Sequence, residues 1–227
     1  MPRHQTHTSI GVIPLIGSND SDDIIEKAAS QSDVVIHTAN SVDDLPSTRS
    51  IITGLNKRIK TTGKLAIYIH TGGTGVLAED VRRKEGSNTI YSDLHSDKIN
   101  GLPDEQTHRN VDLVIINAAK FNPLLKTVTV LPPVIYGIIT GLFNRAYMLL
   151  SILLRSALIR GKTEKIGPGE STWNNVHIAD LVDAYIILFD QLLAVYGPDV
   201  KPDAKPSPYL ITGGEGYYFT ENGQNSE

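Results

Sequence analysis

The sequence predicts an α/β fold, a doubly wound parallel sheet, and three observations carry that expectation. Short, β-branched apolar runs recur without polar alternation, as in strands covered on both faces. Segments of helical period separate them. Polar clusters and turn residues bound each step, the pattern of successive β-α-β crossovers.

Residues 11–16 form the first expected strand. A helix over 21–29 follows, acidic at its start as a helix N-terminus favours. Residues 33–38 are the second strand, 43–60 a mixed amphipathic helix and 64–70 the third strand. In 107–121, Val111, Val114, Ile115 and Ala118 share one helical face, and 127–131 supply a fourth strand. Two stronger helices come later. Residues 145–160 place Ala146, Leu149, Leu150, Leu153 and Ala157 on one stripe. Residues 178–194 do the same with Ile178, Leu181, Val182, Tyr185, Phe189 and Leu192. The stretch 198–208 carries four prolines and reads as an exposed loop, and the polar tail after Tyr218 reads as frayed.

Composition narrows the function classes. The 227 residues have a formal charge of −4 and no cysteine. A disulfide framework, a thiol nucleophile and a cysteine-ligated metal are excluded. The short basic runs, Lys57-Arg58 and Arg82-Arg83-Lys84, read as solvated faces, so no nucleic-acid partner is expected. Residues 1–9 are polar and lack a signal-peptide core. Pro132, Pro133, Arg145 and Arg155 interrupt the most apolar region before the ~20 apolar residues of a membrane helix. A cytoplasmic protein without membrane contact is expected.

The local motif with most chemical content is His70-Thr71-Gly72-Gly73-Thr74-Gly75-Val76-Leu77-Ala78, directly after a strand. Gly73, Gly75 and Ala78 satisfy G-x-G-x-x-A, in which glycines let backbone amides approach a pyrophosphate. The context argues against that use: residues 82–86 interrupt the helix, and no acidic strand end stands ~20 positions on. A plain structural turn is the second reading.

A third reading comes from motif order. Residues 33–40 resemble the "DVVIHLAA" strand of the extended short-chain dehydrogenase/reductases, and 69–75 the next strand, which ends in that family's active-site Ser/Thr. Residues 130–137, with Pro132, Pro133 and Val134, look like its "RPxxvYG" turn, and 175–181 are similar to its "VHVdDLa" start of a late helix. The resemblance covers roughly residues 10–223 and extends to the NmrA-like, NAD-dependent epimerase/dehydratase branch. It implies a Rossmann-like parallel sheet with a small C-terminal substrate-side subdomain. On that template 1–9 would be a disordered N-terminus, 10–137 an incomplete NAD(P)-binding core and 138–227 the substrate side. Because residues 11–16 match the family's third strand, the Gly-rich β-α-β unit of about 60 residues is expected to be absent, leaving an apolar edge uncovered.

The resemblance further implies an NAD(P)-dependent oxidoreductase or epimerase, moving a hydride at a carbonyl or alcohol carbon of a small molecule. The cofactor, NAD or NADP, would run past Ala39 and Asn40 with its nicotinamide against Pro132, Pro133 and Val134. Thr71 or Thr74 would hold the substrate oxygen. The family's Tyr-x-x-x-Lys pair is replaced by His108 and Asp112, so His108 would be the acid or base. The plainer account makes His108 a helix cap and Asp112 a surface acid. His37 and His70 should meet near the sheet's carboxyl edge, without a third metal ligand. His177 should fix the start of the last helix, and Trp173 should line a pocket or pack in the core. A homodimer through the helices 43–60 and 107–121 would follow the family. The rival functions are a non-catalytic dinucleotide-sensing or partner-binding protein and an inactive truncated product.

Overall fold

The computed structural model describes residues 10–38, 40–78, 89–138, 141, 148–163, 172–197 and 207–226. In chain order the elements are α1 (Asp22–Ala29), β1 (Val34–His37), α2 (Leu45–Thr62), β2 (Ala66–Thr71), α3 (Ser96–Asn100), α4 (Arg109–Phe121), β3 (Leu125–Leu131), β4 (Val134–Tyr136), α5 (Met148–Arg160), β5 (Thr172–His177), α6 (Ile178–Tyr196), β6 (Tyr217–Phe219) and β7 (Gly223–Ser226).

The main sheet has the order β1-β2-β3-β6 and is parallel throughout. Its helices follow from local chemistry. Asp44 caps α2 by accepting from the Ser47 amide at 3.1 Å, and Pro46 sits in the first turn, where no amide hydrogen is needed. Gly63 ends α2 at φ 67, a conformation that costs glycine little. Helix α1 lies close against α2, because Gly54 leaves room for the Glu26 carbonyl and Ala29. A Lys57–Glu26 ion pair and a bond from Ser50 Oγ to Asp22 Oδ1 at 2.7 Å fasten the two.

Both faces of the sheet are covered. On one, Leu55, Ala66, Tyr68, Val111 and Ile115 form a core under α2 and α4. On the other, Ile67, Ile69, Val128 and Val130 pack on Leu181, Leu188 and Leu192 of α6. Strand β4 leaves β3 through Pro132-Pro133 and pairs in parallel with β5, which pairs antiparallel with β7.

Four expectations are corrected. Residues 12–18 have no regular structure, and Ile13, Leu15 and Ile16 are exposed. An apolar run becomes a strand only where an edge supplies its hydrogen bonds, and among the described residues β1 pairs with β2 alone. The tail is not frayed: β6 joins β3 and β7 joins β5, so backbone pairing orders a segment whose side chains carry little apolar signal. Of the stripe expected on 145–160, Leu149, Leu150 and Ala157 are only half-buried and Leu153 is exposed, and no residue of α5 joins the described cores. On α6, Leu188 is buried and Val182 is not, a shift of the apolar face by part of a turn. Ala39, Ala146 and residues 1–9, 82–86 and 198–206 lie outside the described residues. No described helix is long and apolar enough to cross a membrane.

Candidate functional site

The candidate site is built where β1, β2 and β3 end. Past β1, Asn40 takes a left-handed conformation at φ 52, and Ser41 Oγ donates to the Thr71 carbonyl at 2.6 Å, tying this loop to the end of β2. Past β2, the Gly72 amide donates to Val130 at 2.8 Å and the Thr74 amide to Pro132 at 3.2 Å. The glycine loop therefore lies against the exit of β3, with Pro132 and Pro133 buried and Val134 half-buried beside it. Thr74 opens a single 3-10 turn, Thr74–Leu77.

The glycines have identifiable uses. A methyl group at Gly72 would sit 2.8 Å from Leu131 Cδ2, and one at Gly75 would sit 2.7 Å from His108 Nε2. Of the two glycines in the G-x-G-x-x-A match, Gly75 has its space filled by the His108 ring, whereas Gly73 has only an ordinary contact, 3.5 Å to Val42 Cγ1. Ala78 is extended rather than helical, so no helix N-terminus follows through the G-x-G-x-x-A match. The pyrophosphate reading of this loop is set aside on that geometry.

His108 reaches the loop from the start of α4. It holds a left-handed backbone, φ 66, and its Nδ1 lies 2.6 Å from Asp43 Oδ1. It occupies the N-cap position, but its side chain makes no cap hydrogen bond, which corrects the simple capping account. Asp112 is likewise no surface acid. It is 1% exposed, neither carboxylate oxygen has a hydrogen-bond partner, and burial raises its pKa to about 6 against the opposing pull of Arg109 and His108. Arg109, also buried, donates to Tyr217 Oη at 2.9 Å and to the Asn100 carbonyl at 3.1 Å.

On the other face, Thr71 Oγ1 meets Tyr185 Oη from α6. Burial pushes the Tyr185 phenol up to about 12, the Thr71 contact opposing. Tyr185 reads in sequence as one more core position, and nothing local marks it as the partner of a strand-end threonine. Asp43 was equally silent, being one of two adjacent acids, Asp43 and Asp44, where the pattern places the start of a helix.

His37 and His70 do meet, with ring centroids 5.7 Å apart, but as a buried chain rather than at an open edge. Tyr68 Oη lies 3.0 Å from His37 Nδ1 and 3.3 Å from His70 Nδ1, and Ser47 Oγ lies 3.2 Å from His37 Nε2. Burial first, then His37, pushes His70 down to about 3. Burial also lowers His37, with Asp44 opposing. Both rings are therefore neutral, and among the described residues no third metal-binding group joins them. His177 accepts from the Ala179 amide at 3.2 Å and fixes the start of α6. Trp173 is 43% exposed on β5, outside the described cores.

No protein-family model matches the chain. A curated protein, oxidase UcsJ from an Acremonium species, is 27% identical over 226 residues, 96% of this chain and 62% of that protein. DesIV, a dTDP-glucose 4,6-dehydratase from Streptomyces venezuelae solved with NAD, superposes with a TM-score of 0.56 at 13% identity, over 92% of this chain and 58% of its own. The Thermus thermophilus UDP-glucose 4-epimerase with NAD gives 0.55 at 12% identity, over 95% and 66%. The UDP-glucuronic acid 4-epimerase of Bacillus cereus, in complex with UDP-glucuronic acid and NAD, gives 0.54 at 16%, over 99% and 66%. The fold is that of the NAD-dependent epimerases and dehydratases. The chain spans 62% of the curated relative and 58% of DesIV.

Proposed function

We propose that this chain is the substrate-side and nicotinamide-side part of an NAD(P)-dependent oxidoreductase, acting at a carbonyl or alcohol carbon of a small molecule. The observation that carries the reading is the meeting of His108, Thr74 and the glycine loop at the carboxyl ends of β1–β3, where open α/β sheets take their ligands. The likeness to enzymes solved with NAD supports the cofactor class.

The residues suit one end of such a cofactor. Buried Pro132 and Pro133 with Val134 offer an apolar wall for a nicotinamide ring, and Asn40 and Ser41 lie on the loop that the rest of the dinucleotide would cross. They do not suit the pyrophosphate, because the His108 ring fills the space at Gly75 and Ala78 is extended rather than helical. A bound dinucleotide would supply or accept the hydride. The protein's own work is proton movement at His108 Nε2 and hydrogen bonding of the substrate oxygen by the hydroxyls of Thr71 or Thr74. By the order of the motifs, His108 would fall where the extended dehydrogenases carry a tyrosine.

Titration of the full chain with NADH and NADPH separately, read by nicotinamide fluorescence and by melting temperature, tests this. A ligand at 100 times its Kd stabilises the fold by about 2.7 kcal/mol. Micromolar binding of either, with His108→Ala retaining binding and losing turnover, is expected. A folded chain that binds neither up to millimolar concentration refutes the oxidoreductase reading and leaves a partner-binding role.

A further inference from the structure

We infer that Asp43 is a positioning residue, which holds the proton of His108 on Nδ1 and so keeps Nε2 as the atom that takes up or releases a substrate proton. The inference rests on the reading of His108 as the proton carrier and names what sets its tautomer.

Three independent features place the ring. Asp43 Oδ1 lies 2.6 Å from Nδ1. A carboxylate only accepts, so the imidazole donates there, and a neutral ring with its single N–H on Nδ1 has its lone pair on Nε2. Second, the backbone of His108 is fixed from the helix side: the Val111 and Asp112 amides donate to its carbonyl at 3.1 and 3.4 Å while φ stays at 66. A left-handed, non-glycine residue persists only where its surroundings over-determine it. Third, Gly75 provides the room for the imidazole edge, since a methyl there would sit 2.7 Å from Nε2 and 3.0 Å from Cδ2. No hydrogen bond to a described residue occupies Nε2, and the side chain is 18% exposed.

The loop before α2 divides its acids between two tasks. Asp44 caps α2, whereas Asp43 turns to the start of α4. Among the described residues, Asp112, one turn further on, also interacts electrostatically with His108, while the Arg109 guanidinium is turned to Tyr217 and the Asn100 carbonyl. Asp112 makes no hydrogen bond, so it does not compete for Nδ1. In the alcohol-to-carbonyl direction the substrate O–H breaks as an N–H forms on Nε2, the hydride of the same carbon would pass to the oxidised dinucleotide of the proposed function, and the Asp43 carboxylate balances the imidazolium charge.

The test uses the full chain labelled with nitrogen-15 at its histidines, with the His108 signals assigned by His108→Gln. At a pH where the ring is neutral, a protonated Nδ1 and an unprotonated Nε2 are expected. Asp43→Ala should move the proton towards Nε2. Asp43 is 62% exposed, so this variant keeps the fold, which its melting curve checks. Gly75→Ala, which displaces the ring, should perturb the same signals. In turnover with NADH or NADPH and a panel of carbonyl compounds, Asp43→Ala should lower kcat about a hundredfold with cofactor binding unchanged. A proton on Nε2 in the wild type, or identical spectra in Asp43→Ala, overturns the inference. Failure to bind either cofactor overturns the functional reading, and the spectra still decide the Asp43–His108 pairing.

Discussion

Replacing Asp112 by asparagine should make the protein acid-sensitive, because two buried groups offset each other in the native chain. His70 is fully buried with its pKa pushed down to about 3, and Asp112 is 1% exposed with its pKa pushed up to about 6. An unfolded histidine titrates near 6.5, so below that pH the unfolded chain binds a proton that folded His70 refuses. Its contribution to stability is lost as pH falls from about 6.5 towards 3. Asp112 has the opposite sign. An unfolded aspartate titrates near 3.9, so the folded carboxyl binds its proton first, and stability is gained as pH falls from about 6 towards 4.

Inside its window each group changes the unfolding free energy by about 1.4 kcal/mol per pH unit. Between about pH 6 and about pH 4 the two slopes therefore cancel. In Asp112→Asn the His70 slope is no longer offset, and roughly 3 kcal/mol should be lost across that interval. His37, also lowered by burial, adds to the loss. Near neutral pH the variant should be more stable than the wild type by at most about 3 kcal/mol, since a buried, unpaired carboxylate is no longer ionised there. Urea unfolding across this range, followed by helical circular dichroism, measures both effects. Parallel pH profiles for the two proteins would refute the offset.

Two further outcomes follow from packing. Gly54→Ala places a methyl 2.3 Å from the Glu26 carbonyl oxygen and 2.7 Å from Ala29 Cβ, so α1 must move off α2. Overpacking of this kind costs about 1–3 kcal/mol, and an unchanged urea midpoint would show that the helices adjust freely. Tyr68→Phe removes the hydroxyl between His37 and His70 and leaves buried ring nitrogens without a partner. A loss of roughly 2 kcal/mol or more is expected in the same assay, and a change under about 0.5 kcal/mol would mean that the hydroxyl bridges nothing.

The parts of the fold that could be read were those whose side chains carry their own burial. Ala66–Thr71 is a strand covered on both faces, as its unbroken apolar run implies, whereas Val34–His37 is an edge strand with Ile36 exposed; both fall where the pattern places them. Gly223–Ser226 could not be read that way, because it is ordered by backbone pairing with β5. The apolar 11–16 run shows the converse. Its composition fits a strand, but strand formation depends on a neighbouring edge, which a local pattern does not report.

The candidate site divides along the same line. His108 was legible through motif order, because α4 sets it at a fixed distance from the strands. Its partner Asp43 stands 65 positions away in sequence, and only the fold brings the two together. Backbone conformation was the other silent signal. Asn40 and His108 are the non-glycine residues with positive φ among the described residues, and both sit in loops at the carboxyl edge of the sheet. A glycine there would have marked the turn in the sequence and relieved the strain, but it would have had no side chain to offer. At His108 a side chain stands on a left-handed backbone, and Gly75 opposite it leaves the room that the imidazole occupies, so the ring is held from both sides.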